Sequence, residues 1–197
     1  MRTNRSLRRL TALLAMLLGL NLSLAACSGS GGGGADSVVL NVGATTEPTG
    51  MDPAVDTGAG TPFVLLYNVY ETLVRIDEKG EIKPLLARSW SASSDGSVYT
   101  FKLEPNATFA SGKPVNAAAV IASFERTRDG ENTTEVLKKQ MSRIKEMRAV
   151  DDHTVEVTLT ASSKRWLYDI TSTAGIVYDL SSGQNLSEQP AGSGPYV

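Results

Sequence analysis

The residue best placed to carry chemistry in this chain is Cys27, the only cysteine among 197 residues. It directly follows the small residues Ala25 and Ala26 and directly precedes a Ser/Gly tract at residues 28–34. A single thiol has no partner within its own chain, so we expect a fold that is stable without disulfides. A thiol that follows small residues at the end of an apolar run is instead typical of covalent modification at a processing site.

The residues before Cys27 have the pattern of a secretory leader. Four arginines within residues 1–9 form a basic start, and residues 10–24 are apolar apart from three polar positions. That run is too short and too interrupted for a membrane-spanning helix, so we expect the leader to be removed. With Leu24 three residues before the cut and Cys27 directly after it, the cut site resembles a bacterial lipobox, in which the cysteine sulfur receives a diacylglycerol. The alternative is an ordinary leader cysteine that is lost on processing.

Composition divides the chain into three parts. Residues 1–27 are the predicted leader, residues 28–37 a Gly/Ser-rich tether, and residues 38–197 the folded part. A diacylglycerol on Cys27 would anchor the protein firmly to a membrane. No apolar run after Cys27 is long enough to span a bilayer. The sequence therefore predicts a globular body that is held at a membrane by Cys27, which becomes the first residue once the leader is removed.

The charge balance argues against nucleic acid as a partner. The chain has 19 basic and 21 acidic residues, and removal of the leader with its four arginines leaves the remainder more acidic still. Binding to nucleic acid needs a clustered basic face. The hydrophobic share of 41% is that of an ordinary globular chain. Length and composition thus fit one folded core with no nucleic-acid-binding role.

The side chains that could form a catalytic or metal site do not make a convincing constellation. His153, the single histidine, lies beside Asp151 and Asp152 at the tip of a predicted hairpin. A hydrolytic triad would need a serine in a recognisable motif, and a metal site would need more than one imidazole beside water-facing carboxylates. The glycines at 31–34 lack the Lys-Ser/Thr ending of a phosphate-binding loop. We therefore expect no enzyme activity, no cofactor and no metal.

Periodicity predicts a mixed α/β fold. Alternating apolar and polar residues from Val98 to Leu103 are typical of a half-buried strand, and Asn116 can cap a helix. From Phe63 to Leu73 apolar residues recur every three or four positions, which predicts an amphipathic helix. The other predicted strands are residues 38–43, 144–150, 154–160 and 175–178, with a short hairpin at 74–84, and helices are predicted at 62–73, 117–128, 134–141 and 166–170.

Several blocks of the sequence, in order, resemble one family. Residues 51–54 read Met-Asp-Pro-Ala, residues 109–120 carry Gly112 and Pro114 ahead of a helix, and residues 150–157 read Val-Asp-Asp-His-Thr-Val-Glu-Val. Further blocks with the same resemblance lie at 68–74, 84–90, 95–103 and 190–196. Together they resemble the extracytoplasmic solute-binding proteins of ABC importers for oligopeptides, dipeptides, nickel and opines.

The resemblance implies a fold class. The expected fold is α/β, the N-terminal part of a two-lobed periplasmic-binding-protein-like (type II) fold, with an α+β subdomain inserted roughly between Pro48 and Ile170. Family members run far beyond Val197, so we expect the fold to be incomplete and this chain alone to bind solute weakly. The family also has an acid where this chain has Ala119, in the first turn of the helix that Asn116 caps. We expect its absence to weaken that turn by ~1 kcal/mol.

The resemblance also implies a function and a site. It predicts a lipid-anchored, monomeric binding component that captures peptides or a similar small solute and delivers it to ABC permease subunits. The expected location is extracytoplasmic, on a Gram-positive surface in preference to a periplasm. In peptide-binding members the matching loop lines the ligand with backbone groups, which assigns Thr57, Gly58 and Ala59 to the ligand site. The alternative for these residues is a plain glycine turn without a ligand.

Two other classes of function stay open at this point. A surface lipoprotein with an adhesion or chaperone-like role could use the same lobe to hold a partner protein. A tethered extracellular hydrolase ranks behind both, because the sequence offers no catalytic constellation. Neighbouring genes for a permease and an ATPase would favour transport, whereas a standalone gene would favour adhesion.

Overall fold

The computed structural model describes residues 43–56 and 58–196, which form three antiparallel sheets, four α-helices and two short 3-10 helices. None of the helices described has the length and apolarity that crossing a bilayer requires. Cys27, Thr57 and nearly all of the predicted strand at 38–43 lie outside the described residues. The strands are β1 Glu71–Thr72, β2 Val74–Ile76, β3 Ile82–Pro84, β4 Ala87–Ala92, β5 Val98–Leu103, β6 Ile144–Asp151, β7 Thr154–Leu159 and β8 Ile176–Val177, and the helices are α1 Gly60–Leu65, α2 Ala117–Asp129, α3 Glu135–Met141 and α4 Trp166–Asp169.

The largest sheet has four strands in the order β4-β5-β7-β6, all antiparallel to their neighbours. Its buried face follows from the alternation in β5, where Tyr99, Phe101 and Leu103 point inwards. Phe101 lies opposite Trp90 on one side and Val155 on the other. The predicted strand at 98–103 and the predicted hairpin of β6 and β7 are both confirmed.

Helix α2 covers the buried face of this sheet and begins where the sequence predicts. The Asn116 side chain accepts a hydrogen bond of 2.9 Å from the backbone N–H of Ala119, which is the contact of an N-cap. Val120 and Phe124 are fully buried on the inner side of the helix. The first turn carries no acid, as Ala119 in the sequence indicates, so the cap is the one side chain that satisfies the start of α2.

We expect Asn116→Ala to lower the free energy of unfolding by ~1 kcal/mol, because the N–H of Ala119 loses its acceptor. Urea unfolding measures the loss. Asn106→Ala is the matched control, since Asn106 is exposed in a turn. Equal stabilities of the two variants would contradict the capping role.

The helix predicted at 62–73 is wrong beyond its first turns. Helix α1 ends at Leu65, and Tyr67 adopts a left-handed backbone with φ of 66° before β1 begins. Tyr70 and Leu73 are both fully buried, but they pack in different hydrophobic clusters. Residues three apart share a face in a helix and take opposite faces in an extended chain. Burial in two separate cores therefore overrides the helical spacing of this segment.

Two cores divide the described residues into two parts. The larger core lies between the four-stranded sheet and its helices, and the smaller core gathers around Tyr70 and Tyr178. Strand β8 lies between them, since Val177 packs into the larger core and Ile176 into the smaller one. We call residues 73–175 the insert, and residues 43–56, 58–72 and 176–196 the base. These two names refer to the two cores only, and the insertion expected roughly between Pro48 and Ile170 stays a prediction.

The segment 190–196 ties the base together. The N–H of Gly194 donates to Val69 O at 2.9 Å, and that of Tyr196 donates to Asn68 O at 3.0 Å. A Cβ at Gly192 would lie 1.9 Å from Val69 O, so only glycine allows this approach of the two backbones. The Gly/Pro block at 190–196 is therefore a structural element of the base.

Candidate functional site

The loop before α1 closes around a carboxylate. Asp56 accepts hydrogen bonds from the hydroxyl groups of Thr49 and Thr61 and from the N–H of Gly58, the last at 2.8 Å. Burial alone would raise the pKa of Asp56, but these donors outweigh it and hold the pKa below its ordinary value. The carboxylate therefore stays ionised and fixes both ends of the loop.

The glycines of this loop serve close packing. A Cβ at Gly58 would lie 2.4 Å from the Thr49 hydroxyl oxygen, and one at Gly60 would lie 2.6 Å from Glu47 O. Gly58 is half-buried and Ala59 is exposed at the start of α1. Both backbone groups of Gly58 have partners, because its N–H donates to Asp56 and its carbonyl oxygen accepts from the N–H of Thr61 at 3.2 Å, so Ala59 alone of the two residues is exposed.

An ion pair with a buried carboxylate joins this loop to the insert. Arg126 on α2 donates through Nη2 to Oδ2 of Asp52, whose side chain is only 5% exposed. The other oxygen of Asp52 accepts from the N–H of Ala54 at 3.1 Å. The guanidinium carbon lies 4.8 Å from the ring centroid of Tyr178, within the range of a cation–π contact. Asp52 therefore holds the loop against both α2 and the small core.

A cavity of about 570 Å³ lies beside this ion pair. It is open to solvent between the end of α2 and residues 179–187 of the base. Its lining is mainly polar, with carboxylates, amides and hydroxyls, so it suits a hydrated or polar occupant more than an apolar one. The polar side chains around it are those of Asp52, Arg126, Glu131, Asn132, Thr133, Asp179, Gln184, Asn185 and Ser187.

A second buried carboxylate joins the base to the insert. Asp179 accepts from the hydroxyl groups of Ser111 and Ser181, each at 2.6 Å. Lys113 donates to the backbone oxygen of Ser181 at 2.7 Å. Burial alone would raise the pKa of Asp179. The two hydroxyl donors and the nearby charge of Lys113 lower it by more, so the pKa lies below its ordinary value.

The lowered pKa of Asp179 makes stability fall in acid. Because the unfolded carboxyl has the higher pKa, the unfolded chain binds more protons as the pH falls below the ordinary value of 3.8. The stabilisation is therefore complete at neutral pH and is lost as the pH falls through the folded pKa. We expect Asp179→Asn to cost about 1–2 kcal/mol at neutral pH and to flatten the acid slope of stability. The control is Glu78→Gln, in an exposed turn, which should change neither the stability at neutral pH nor its acid slope. An unchanged acid slope in Asp179→Asn would contradict the stabilising role of the Asp179 carboxylate.

The polar residues considered for catalysis close turns. The N–H of His153 donates to Oδ1 of Asp151 at 2.8 Å, which shapes the tip between β6 and β7. The turn between β2 and β3 is closed in the same way, since Asp77 accepts from the N–H groups of Lys79 and Glu81. Within residues 43–56 and 58–196, no three side chains of His, Cys, Asp or Glu are grouped to hold a metal ion.

Sequence reasoning missed the residues that join the base to the insert. Arg126 and Asp52 are 74 positions apart, and Ser123, whose hydroxyl accepts from the N–H of Tyr178 at 2.9 Å, is 55 positions from its partner. The available signal was local: Ser123 and Arg126 are polar residues beside the buried side of a helix that otherwise carries Val120 and Phe124. Polar groups at such positions need a buried partner.

Comparison with known proteins finds relatives of one kind. "Probable D,D-dipeptide-binding periplasmic protein DdpA" of Escherichia coli K12 is 32% identical over 174 residues, covering 81% of this chain and 33% of its own length. Among solved structures, AgaA of A. tumefaciens R10 in complex with agropinic acid has a TM-score of 0.69 at 28% identity, covering 76% of this chain and 30% of that one. The Escherichia coli murein tripeptide binding protein MppA has a TM-score of 0.68 at 28% identity, covering 77% and 33%. The chain spans about a third of the length of these relatives.

A family model decides the assignment. The model described as "Bacterial extracellular solute-binding proteins, family 5 Middle" matches residues 81–197, more than half of the chain. The structural neighbours confirm the expected fold class, the partial type II fold of a periplasmic binding protein. Members of this family are extracytoplasmic binding proteins of transport systems and not enzymes, as the sequence predicted. The chain therefore belongs to family 5 of the bacterial extracellular solute-binding proteins.

Proposed function

We propose that this protein is the substrate-binding component of an ABC importer, which captures a peptide or a similar small solute and delivers it to the permease. The observation that carries this proposal is the family match over residues 81–197. Two of the three relatives described above bind, by their names, a dipeptide or a murein tripeptide, and the third was solved with agropinic acid. A short peptide is therefore the solute class with most support.

The ligand contacts that we propose lie at Thr57, Gly58 and Ala59. In support, the Asp56 carboxylate fixes the backbone at Gly58, and Ala59 is exposed rather than packed. A loop held in this way can pair with the main chain of an extended peptide through the groups that it leaves free, such as the second lone pair of the Gly58 carbonyl oxygen. Such pairing does not depend on the side chains of the peptide, so it would accept many sequences.

Variants at Ala59 test this assignment. In protein purified from its own cells, Ala59→Asp should leave the melting temperature without ligand unchanged, because the side chain is exposed. It should weaken peptide binding about tenfold or more, since the larger, charged side chain would occupy the space that the peptide backbone needs at this loop. Ala92→Asp, also exposed but on β4, is the matched control. Equal peptide affinity in both variants would remove this loop from the site.

We further propose that Cys27 is lipidated and that residues 28–37 tether the domain to the membrane. The support is the order of basic start, apolar run, small residues and cysteine in residues 1–27. Metabolic labelling with a radioactive fatty acid should mark the protein and should not mark Cys27→Ser. Ser30→Ala is the control and should be labelled normally. Label that persists in Cys27→Ser would contradict the anchor.

A further inference from the structure

The exposed side of α3 combines an apolar residue with two cations. Val136 is 68% exposed, and Lys139 and Arg143 follow it at spacings of three and four residues, also exposed. Such spacings place side chains on one side of a helix and of the turn that continues it. The opposite side of α3 is anchored in the larger core by Leu137 and Met141. The outward stripe is therefore held in a fixed orientation.

Helix α4 repeats this combination. Tyr168 is 48% exposed, and Lys164 and Arg165 precede it by four and three residues. The side chain of Arg165 is 85% exposed. Trp166, on the inner side, is fully buried and fixes the helix against the sheet.

The two stripes lie side by side. Arg143 donates through Nη1 to the Ser163 hydroxyl at 3.3 Å, next to Lys164 in the chain. Gln140 of α3 shares one surface hollow with Arg165 and Tyr168. We name this surface the basic face; its residues are Val136, Lys139, Arg143, Lys164, Arg165 and Tyr168.

The charge of the basic face is opposite to that of the chain as a whole. The full chain has a net charge of −2, and the leader holds four of its arginines. Among the described residues, Lys139, Arg143 and Lys164 form no ion pair within 4 Å. Three acids lie nearby: Asp169 is 3.8 Å from Arg165, Glu135 is paired with Lys138, and Asp129, which is paired with Arg128, shares a surface hollow with Lys139. Four exposed cations thus stand together on a domain that is otherwise acidic.

We propose that the basic face rests on the anionic lipid headgroups of the membrane to which the protein is anchored. Lysine and arginine are attracted to anionic lipid within a Debye length of the surface, and an exposed tyrosine or valine beside them can enter the headgroup layer. An acidic protein partner fits less well, because a stable protein interface needs a contiguous apolar centre, and Val136 and Tyr168 are single residues on separate helices. This inference rests on the proposed anchoring at Cys27, which keeps the domain close to the lipid.

Lysine labelling on vesicles tests the contact. The full chain is coupled through its single thiol, Cys27, to a maleimide phospholipid, in vesicles of phosphatidylcholine alone or with about one third phosphatidylglycerol. An amine-reactive acylating reagent and mass spectrometry then give the labelling rate of each lysine. We expect Lys139 and Lys164 to react at least about threefold more slowly on the anionic vesicles at low salt, and equally on both at high salt. Lys79 and Lys102, exposed elsewhere, should not change.

Charge reversal provides the matched variants. Lys164→Glu combined with Arg165→Glu should abolish the protection of Lys139, whereas Arg75→Glu combined with Lys79→Glu should preserve it. Equal labelling on both kinds of vesicle, or protection of Lys139 that survives loss of Lys164 and Arg165, would overturn the proposal. A protein partner would then be the remaining explanation for the basic face. Because the coupling is chemical, absence of lipidation in cells would contradict the proposed anchor without altering this measurement.

Discussion

Replacing Arg126 by methionine should lower the free energy of unfolding by about 3 kcal/mol or more. The substitution leaves Asp52, which is almost completely buried, without the cation that compensates its charge. It also removes the cation–π contact with the buried ring of Tyr178. Urea unfolding of the full chain measures the loss.

Arg128→Met is the matched control for this variant. Arg128 lies on the same helix, but its partner Asp129 is 59% exposed, so loss of that pair should cost less than about 1 kcal/mol. The combined change Asp52→Asn with Arg126→Met should be less harmful than the sum of the two single changes, because no buried charge remains. Similar losses in Arg126→Met and Arg128→Met would contradict a buried, compensated pair.

The second large effect is expected at Trp166. Its ring is fully buried, with centroids 5.1 Å from that of Tyr99 and 6.2 Å from that of Phe101. Trp166→Ala opens a cavity under the four-stranded sheet and should cost about 3–5 kcal/mol. It should also loosen the packing of α4, because Trp166 is the buried residue of that helix.

The other tryptophan of the chain gives the comparison. Trp90 lies on the edge strand β4 and is only partly buried, so Trp90→Ala should cost roughly half as much as Trp166→Ala or less. Both losses can be read from the urea midpoints at an unchanged slope. If Trp90→Ala were the more damaging change, the larger core would not be centred where the structure places it.

Local patterns predicted much of the insert. The alternation of Val98 to Leu103 gave β5, and the Asn116 cap with its apolar stripe gave α2, because both signals lie within a few residues. The hairpin of β6 and β7 followed from two strands around a polar turn. The residues that determine each of these elements lie within the element itself or next to it.

Contacts between distant residues could not be predicted in this way. Tyr70 and Leu73 read as one helical face, but they enter two cores that only the tertiary fold separates. The pair of Asp52 and Arg126 joins a loop to a helix across 74 positions, and no local pattern connects them. The division of the residues between the two cores depends on such contacts.

These contacts also give the proposed ligand loop its shape. Asp52 and Asp56 fix the loop from both sides, the first against α2 and the second against Thr49 and Thr61. A binding loop that is rigid before the ligand arrives loses less entropy on binding. The ion pair of Asp52 and Arg126 therefore supports the proposed function, because it helps to fix the loop that carries Gly58 and Ala59.

We expect this protein to bind a peptide or a similar small solute for transport. Native mass spectrometry of the protein purified from its own cells without denaturation tests it most directly. We expect a bound species of the mass of a short peptide or similar solute, which is released on denaturation and raises the melting temperature when it is added back. Protein that carries no solute, and whose melting temperature no short peptide changes, would contradict the account.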